Sequence, residues 1–119
     1  MSWARSLEPD FDTPKEIVEA AKKALDEGFT RYTPTAGIPE LKKAVCEKFL
    51  RDNGLFYTPE QIVVSDGAKS SLYHALAVLA GEGDEVIVPS PYWVTYVEQI
   101  RLCGAEPVVV ETTEESGYK

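Results

Sequence analysis

The sequence predicts an α/β fold, a three-layer unit of parallel strands flanked by helices, with two further helices ahead of it. Three observations carry this expectation. Apolar runs at residues 62–65, 85–88 and 108–110 are rich in β-branched residues and continuous rather than alternating, the pattern of parallel strands covered on both faces. Stripes of helical period lie between them, so residues 58–119 are ordered βαβαβ with right-handed connections. Glycines and prolines punctuate the boundaries. Residues 1–57 are the helical lead-in and residues 58–119 the sheet-bearing part of one domain.

The first helix follows Thr13, a candidate N-cap, with Pro14 at the first helical position and Glu16 completing a capping box. Its core stripe is Ile17, Ala20, Ala21, Ala24 and Leu25, and Gly28 ends it. Pro39 opens the second helix, whose core face is Leu41, Ala44, Val45 and Phe49, and Asn53-Gly54 stops it. Residues 62–65 are the first strand. Leu72, Ala75, Leu76 and Leu79 mark the third helix, and the turn Gly81-Glu82-Gly83-Asp84 leads into the second strand. Trp93, Tyr96, Val97 and Ile100 form the stripe of a fourth helix closed by Gly104, and residues 108–110 are the third strand.

Composition narrows the class. At 119 residues with 44% hydrophobic content the chain fits one small domain able to bury a core. A net charge of −8, spread over helices and loops, argues against nucleic acid or an anionic membrane as partner. No apolar run reaches the roughly 20 residues that span a bilayer, and no export leader is evident. Cys46 and Cys103 are the only cysteines and sit in no metal-ligand pattern, so both read as free thiols of a reducing cytoplasm. His74, the single histidine, falls between core positions and reads as a surface residue.

The chemistry concentrates where the first strand meets the third helix, at Gly67-Ala68-Lys69. Small residues there let free backbone N–H groups approach an anion, and the helix dipole adds partial positive charge. Lys69 can add its ammonium and Ser70 a hydroxyl, while Asp66 must point away or cap the helix. Tyr92-Trp93 lies just past the second strand, at the carboxyl edge of the sheet where open α/β proteins bind ligands.

Together with Tyr32-Thr33-Pro34-Thr35-Ala36-Gly37 upstream, Pro89-Ser90-Pro91-Tyr92-Trp93 downstream, and Glu8-Pro9-Asp10-Phe11-Asp12-Thr13-Pro14 near the start, this turn resembles the aspartate-aminotransferase-like, class I, fold-type I family. Those enzymes use pyridoxal 5′-phosphate (PLP), and the resemblance runs from Glu8 to Lys119. It implies that the chain is the N-terminal part of a PLP-transferase-like large domain. It also implies that Gly67, Ala68 and Lys69 hold the cofactor phosphate, that Trp93 stacks on the pyridine ring, and that Tyr32 reaches the phosphate bound by the other subunit of a homodimer. The parent activity it implies is cytoplasmic amino-group transfer between an amino acid, of aspartate type, and a 2-oxo acid.

Two departures from the family pattern matter. Leu7 stands where the family has a glycine whose backbone helps hold the substrate carboxylate, and Met1 to Ser6 do not match the family's N-terminal arm. None of the eight lysines lies in the Schiff-base motif, which in the family follows the stretch matched here, as do the Asp paired with the pyridine nitrogen and the substrate-binding arginine. The expectation is therefore no catalytic residue, an inactive isolated chain, and weak or absent PLP binding by it. In the family the strand matching 62–65 is separated from the other two by strands not found here. The expected resolution in a folded monomer is re-pairing into a three-stranded sheet of order 3-2-1. Two alternatives stay open: a non-catalytic anion- or nucleotide-binding α/β module, and a structural fragment self-associating through open sheet edges.

Overall fold

The computed structural model describes residues 10–119, which fall into two compact units divided between Pro34 and Thr35. Leu7, Glu8, Pro9 and the leader before them lie outside the described residues. In the first unit α1 spans Lys15–Asp26. The Thr13–Glu16 capping box does not form: Pro14 is the N-cap, and its carbonyl accepts from the N–H groups of Ile17 and Val18 at 3.0 and 3.1 Å. Thr13 is thus one residue too far upstream for its hydroxyl to reach the free amides. The other end is as expected. Gly28 adopts φ 74°, and Gly28 and Phe29 N–H return to the Leu25 and Ala24 carbonyls at 3.0 and 2.8 Å, a Schellman stop. The apolar stripe expected to be core is uncovered within this unit, with Ile17 58% and Leu25 63% exposed.

The second unit starts with α2, Pro39–Lys48, with proline in its first turn. A π-helical turn, Phe49–Asn53, prolongs it until Gly54 ends it at φ 67°. No residue of α2 is buried, so its expected core face is also open. After a 3₁₀ turn at Pro59–Gln61 come α3 (Ala68–Leu79), β1 (Glu85–Pro89), α4 (Val94–Leu102) and β2 (Glu106–Val110). The β-α-β order of the last three elements follows the sequence reading.

The first predicted strand is the main correction. Residues 62–65 are extended but join no sheet, and the only sheet among the described residues is the parallel pair β1–β2. The expected 3-2-1 re-pairing does not occur. The segment is held from the other direction instead: Val64 N–H donates to the Ala36 carbonyl at 3.0 Å, and Ile62 is buried. Gly37 makes room for this contact, since a Cβ there would sit 2.6 Å from Val64 Cγ2. With Val63 left 70% exposed, a β-branched run has produced the strand conformation without a neighbour to make it a sheet member.

The β1–β2 ladder pairs Ile87 with Val108 and runs from the Glu106 N–H on the Asp84 carbonyl (2.9 Å) to the Ser90 N–H on the Val110 carbonyl (2.8 Å). Val88, Val97, Ile100 and Ala105 form the core between the sheet and α4, with Leu76 and Ala80 of α3 packed against it. The opposite face of β1 is bare, and Ile87 is 68% exposed.

Candidate functional site

At the start of α3 the backbone turns through Gly67, which adopts φ 80°, ψ 162°, a conformation nearly restricted to glycine. No atom lies within 4 Å of where its Cβ would be, so conformation and not crowding is what calls for glycine here. The first N–H of α3 to find a helical partner is that of Ser71, on the Gly67 carbonyl at 3.2 Å. The amides of Ala68, Lys69 and Ser70 therefore stand at the helix start without intrahelical acceptors. No side chain caps them, Asp66 included, and no acidic residue lies in the first turn. Free amides at a helix start, with no acidic residue in the first helical turn and no carboxylate bonded to them, fit a phosphate group.

The junction from β1 into α4 lies beside this turn. Trp93 is the N-cap residue of α4, and the Lys69 ammonium sits over its ring, 5.0 Å from the centroid. That places a cation and an aromatic face next to the amide cluster. From Trp93 an open apolar groove of about 630 Å³ runs along β1, walled by Leu72 and Leu76 of α3 and by Tyr96 of α4. Of the expected cofactor-binding residues the fold brings together Gly67, Ala68, Lys69 and Trp93, but the Gly67 N–H is already donated to the Ser65 carbonyl at 3.0 Å, which leaves the amides of Ala68 and Lys69 free. Tyr32 belongs to the other unit, on the turn after α1, where its side chain stands fully in solvent.

Gln99 is a residue that the sequence reading passed over. It lies on the buried side of α4, 8% exposed, and its Nε2 donates to the Lys69 carbonyl oxygen at 2.8 Å, while its Oε1 is buried without a donor. The available signal was a lone amide next to Ile100, inside an otherwise apolar stripe. Cys46 and Cys103 are half-buried free thiols, and His74 is exposed. Among the described residues no cluster of His, Cys, Asp and Glu could hold a metal ion, and no helix is long and apolar enough to cross a membrane.

Comparison with known proteins identifies the family. Residues 5–119 match the family described as aminotransferase class I and II. The aspartate/prephenate aminotransferase of Cereibacter sphaeroides is 55% identical over 112 residues, which cover 94% of this chain and 28% of that protein. The aspartate aminotransferase of Bacillus subtilis is 51% identical with the same coverage of 94% and 28%. Among solved structures, the aspartate aminotransferase of Rhizobium meliloti superposes with a TM-score of 0.91 at 45% identity, covering 95% of this chain and 28% of that one. The Thermus thermophilus aspartate aminotransferase with maleate gives 0.89 at 52% identity, covering 93% and 29%. The chain thus spans little more than a quarter of the length of these relatives. Matched along nearly all of its own length, it belongs to the class I and II aminotransferase family.

Proposed function

We propose that this chain is the N-terminal portion of a PLP-dependent aminotransferase, carrying the phosphate-binding half of the cofactor site. The carrying observation is the uncapped start of α3 at Gly67, set beside the aromatic face of Trp93. When bound, PLP supplies the electron sink that lets an amino group move between an amino acid and a 2-oxo acid. The chain's own residues bind and orient it. The amides of Ala68 and Lys69, reached through the Gly67 turn, hold the phosphate. The Lys69 side chain adds charge at that anion, and Trp93 offers its ring as a stacking platform. Tyr32 completes the phosphate site of a second subunit in a cytoplasmic homodimer. Residues 58–119 open the large PLP-binding domain, and residues 1–57 lead into it. The aspartate-type substrate is supported by the names of the relatives, all of them far longer than this chain.

None of the eight lysines serves as the covalent anchor of the cofactor, so the isolated chain binds PLP weakly at most and does not turn over. Titration with PLP and with pyridoxal tests the phosphate assignment: the phosphorylated form binds more tightly, and equal affinity contradicts the assignment. Borohydride treatment after PLP labels no single lysine stoichiometrically. Amino-group transfer from aspartate to a 2-oxo acid by purified, partner-free chain would refute the inactivity.

A second reading, self-association through open sheet edges, is favoured by the single-sided pairing of β1 and the exposure of Ile87, Val78 and Leu79. Light scattering across concentrations, with and without PLP, separates the two readings.

A further inference from the structure

We propose that Gln99 is a positioning residue, which locks the phosphate turn of α3 to the ring platform of α4; this rests on the phosphate assignment above. The Lys69 carbonyl that receives the Gln99 Nε2 bond at 2.8 Å belongs to the first turn of α3, in the same short stretch as the free amides of Ala68 and Lys69. Gln99 itself lies on α4, the helix that starts immediately after Trp93. A single buried side chain therefore couples the two junctions that meet one ligand, one at its phosphate and the other at its ring. The exposed Lys69–Trp93 contact at 5.0 Å spans the same gap, but it is made by a flexible lysine whose charge the phosphate would also attract.

Stability alone does not explain a glutamine here. Its Oε1 is buried with no donor, and a half-satisfied amide in an apolar environment is costly compared with an apolar side chain of like size. Leu72, Leu76 and Tyr96 line the same groove, so leucine or methionine suits the surroundings of residue 99. What only the amide provides at this position is a donor for the Lys69 carbonyl. Without that bond the first turn of α3 is free to fray away from α4, and its amides no longer converge at a fixed distance from Trp93.

Gln99→Leu in the full 119-residue chain tests the inference, with pyridoxal 5′-phosphate and pyridoxal as separate probes. The affinity for pyridoxal 5′-phosphate is expected to fall about three- to tenfold, the size of one lost hydrogen bond. Affinity for pyridoxal stays within twofold, and the melting temperature stays or rises. A purely structural glutamine would lower the melting temperature and weaken both probes alike, and that result overturns the proposal. Hydrogen exchange without ligand gives an independent arm: the amides of Ser71, Leu72 and Tyr73 exchange about three- to tenfold faster in the variant while those of β2 do not change. Unchanged exchange at α3 overturns the tether. If the unsubstituted chain does not discriminate between the two probes, the phosphate assignment fails, and the exchange arm still decides whether Gln99 fixes the helix start. Gln99→Met serves as a second variant should Gln99→Leu fail to fold.

Discussion

The junction into α3, at residues 65–69, and the junction into α4, at residues 89–94, both follow a β-branched run, and both open a helix, of 12 and 9 residues respectively. Their supports differ. The second follows a paired strand: Ser90 N–H is bound by the Val110 carbonyl at 2.8 Å, Thr112 N–H reaches Ser90 Oγ at 3.3 Å, and the helix buries Val97 and Ile100 against β1 and β2. The first follows a run whose one backbone bond to a distant segment is that of Val64 to Ala36, and α3 has no buried residue. A helix start needs only local instructions, a glycine turn and a run of helix-forming residues. A strand needs a partner. The anion-facing turn therefore forms in a part of the molecule whose surroundings are incomplete, and its order depends on the neighbouring junction.

The sharpest way to break this comparison is to remove the support of the second junction. Ile100 is 2% exposed at the centre of the core, and Ile100→Ala is expected to destabilise by about 2–5 kcal/mol in denaturant melts. The amides of β2 should lose protection by the same amount. If instead only the α4 amides respond, the small core does not govern the fold. Next in size is Gly37→Ala, which puts a methyl group 2.6 Å from Val64 Cγ2 at a residue with φ 101°. Strain and overpacking together set a cost of about 2–4 kcal/mol. It should appear as fast exchange of the Val64 amide with the β1–β2 ladder intact.

Gly67→Ala tests the first junction itself. The new side chain meets nothing, so the cost is conformational, about 1–3 kcal/mol for a non-glycine residue at φ 80° and ψ 162°. Loss of affinity for PLP should exceed the loss of stability, because the amides are re-aimed while the core is untouched. Equal losses would mean that the two junctions open as one cooperative unit, which removes the distinction between them.

How much of this was legible in the sequence follows from the same contrast. The four helices were legible because periodicity and stop signals are local: Gly28, Gly54 and Gly104 all adopt the positive φ that ends a helix. The turn at Gly67 was legible from residue type and order, whereas the choice of Trp93 over Tyr92 came from the family resemblance. Helix 1 was misjudged in detail, because Pro14 and not Thr13 caps it. The strand at 62–65 was misjudged in kind, because propensity fixes an extended backbone but says nothing of what stands beside it. Val64 found Ala36, a loop residue with no strand signature. Gln99 was invisible for a related reason: its importance lies in the carbonyl of a residue 30 positions away. Between elements, the parallel pairing of residues 85–89 with 106–110 was readable from the β-α-β order, whereas the partner of Val64 and that of Gln99 were not.

The smallest effect concerns the 3₁₀ turn that delivers residues 62–65 to the first junction. The Glu60 carboxyl is held below its usual pKa, chiefly by a hydrogen bond from the Thr58 side chain, then by its own backbone N–H and by the nearby charge of Lys42. A carboxyl whose pKa is lower when folded stabilises the fold above its unfolded pKa, and that contribution is lost as pH falls through the folded value. Glu60→Gln should therefore melt slightly below the unsubstituted chain at neutral pH and level with it once the pH has fallen well below the folded pKa of Glu60, where both side chains are neutral. Because Glu60 is fully exposed, the shift is small and shrinks with added salt. Thr58→Ala should remove most of the pH-dependent part of the difference, since it removes the largest cause. If the difference survives in acid, the carboxylate charge is not what orders the turn. Its backbone bonds, Gln61 N–H to the Thr58 carbonyl at 2.9 Å and Thr58 N–H to Gln61 Oε1 at 3.0 Å, would then set the approach to the first junction without help from charge.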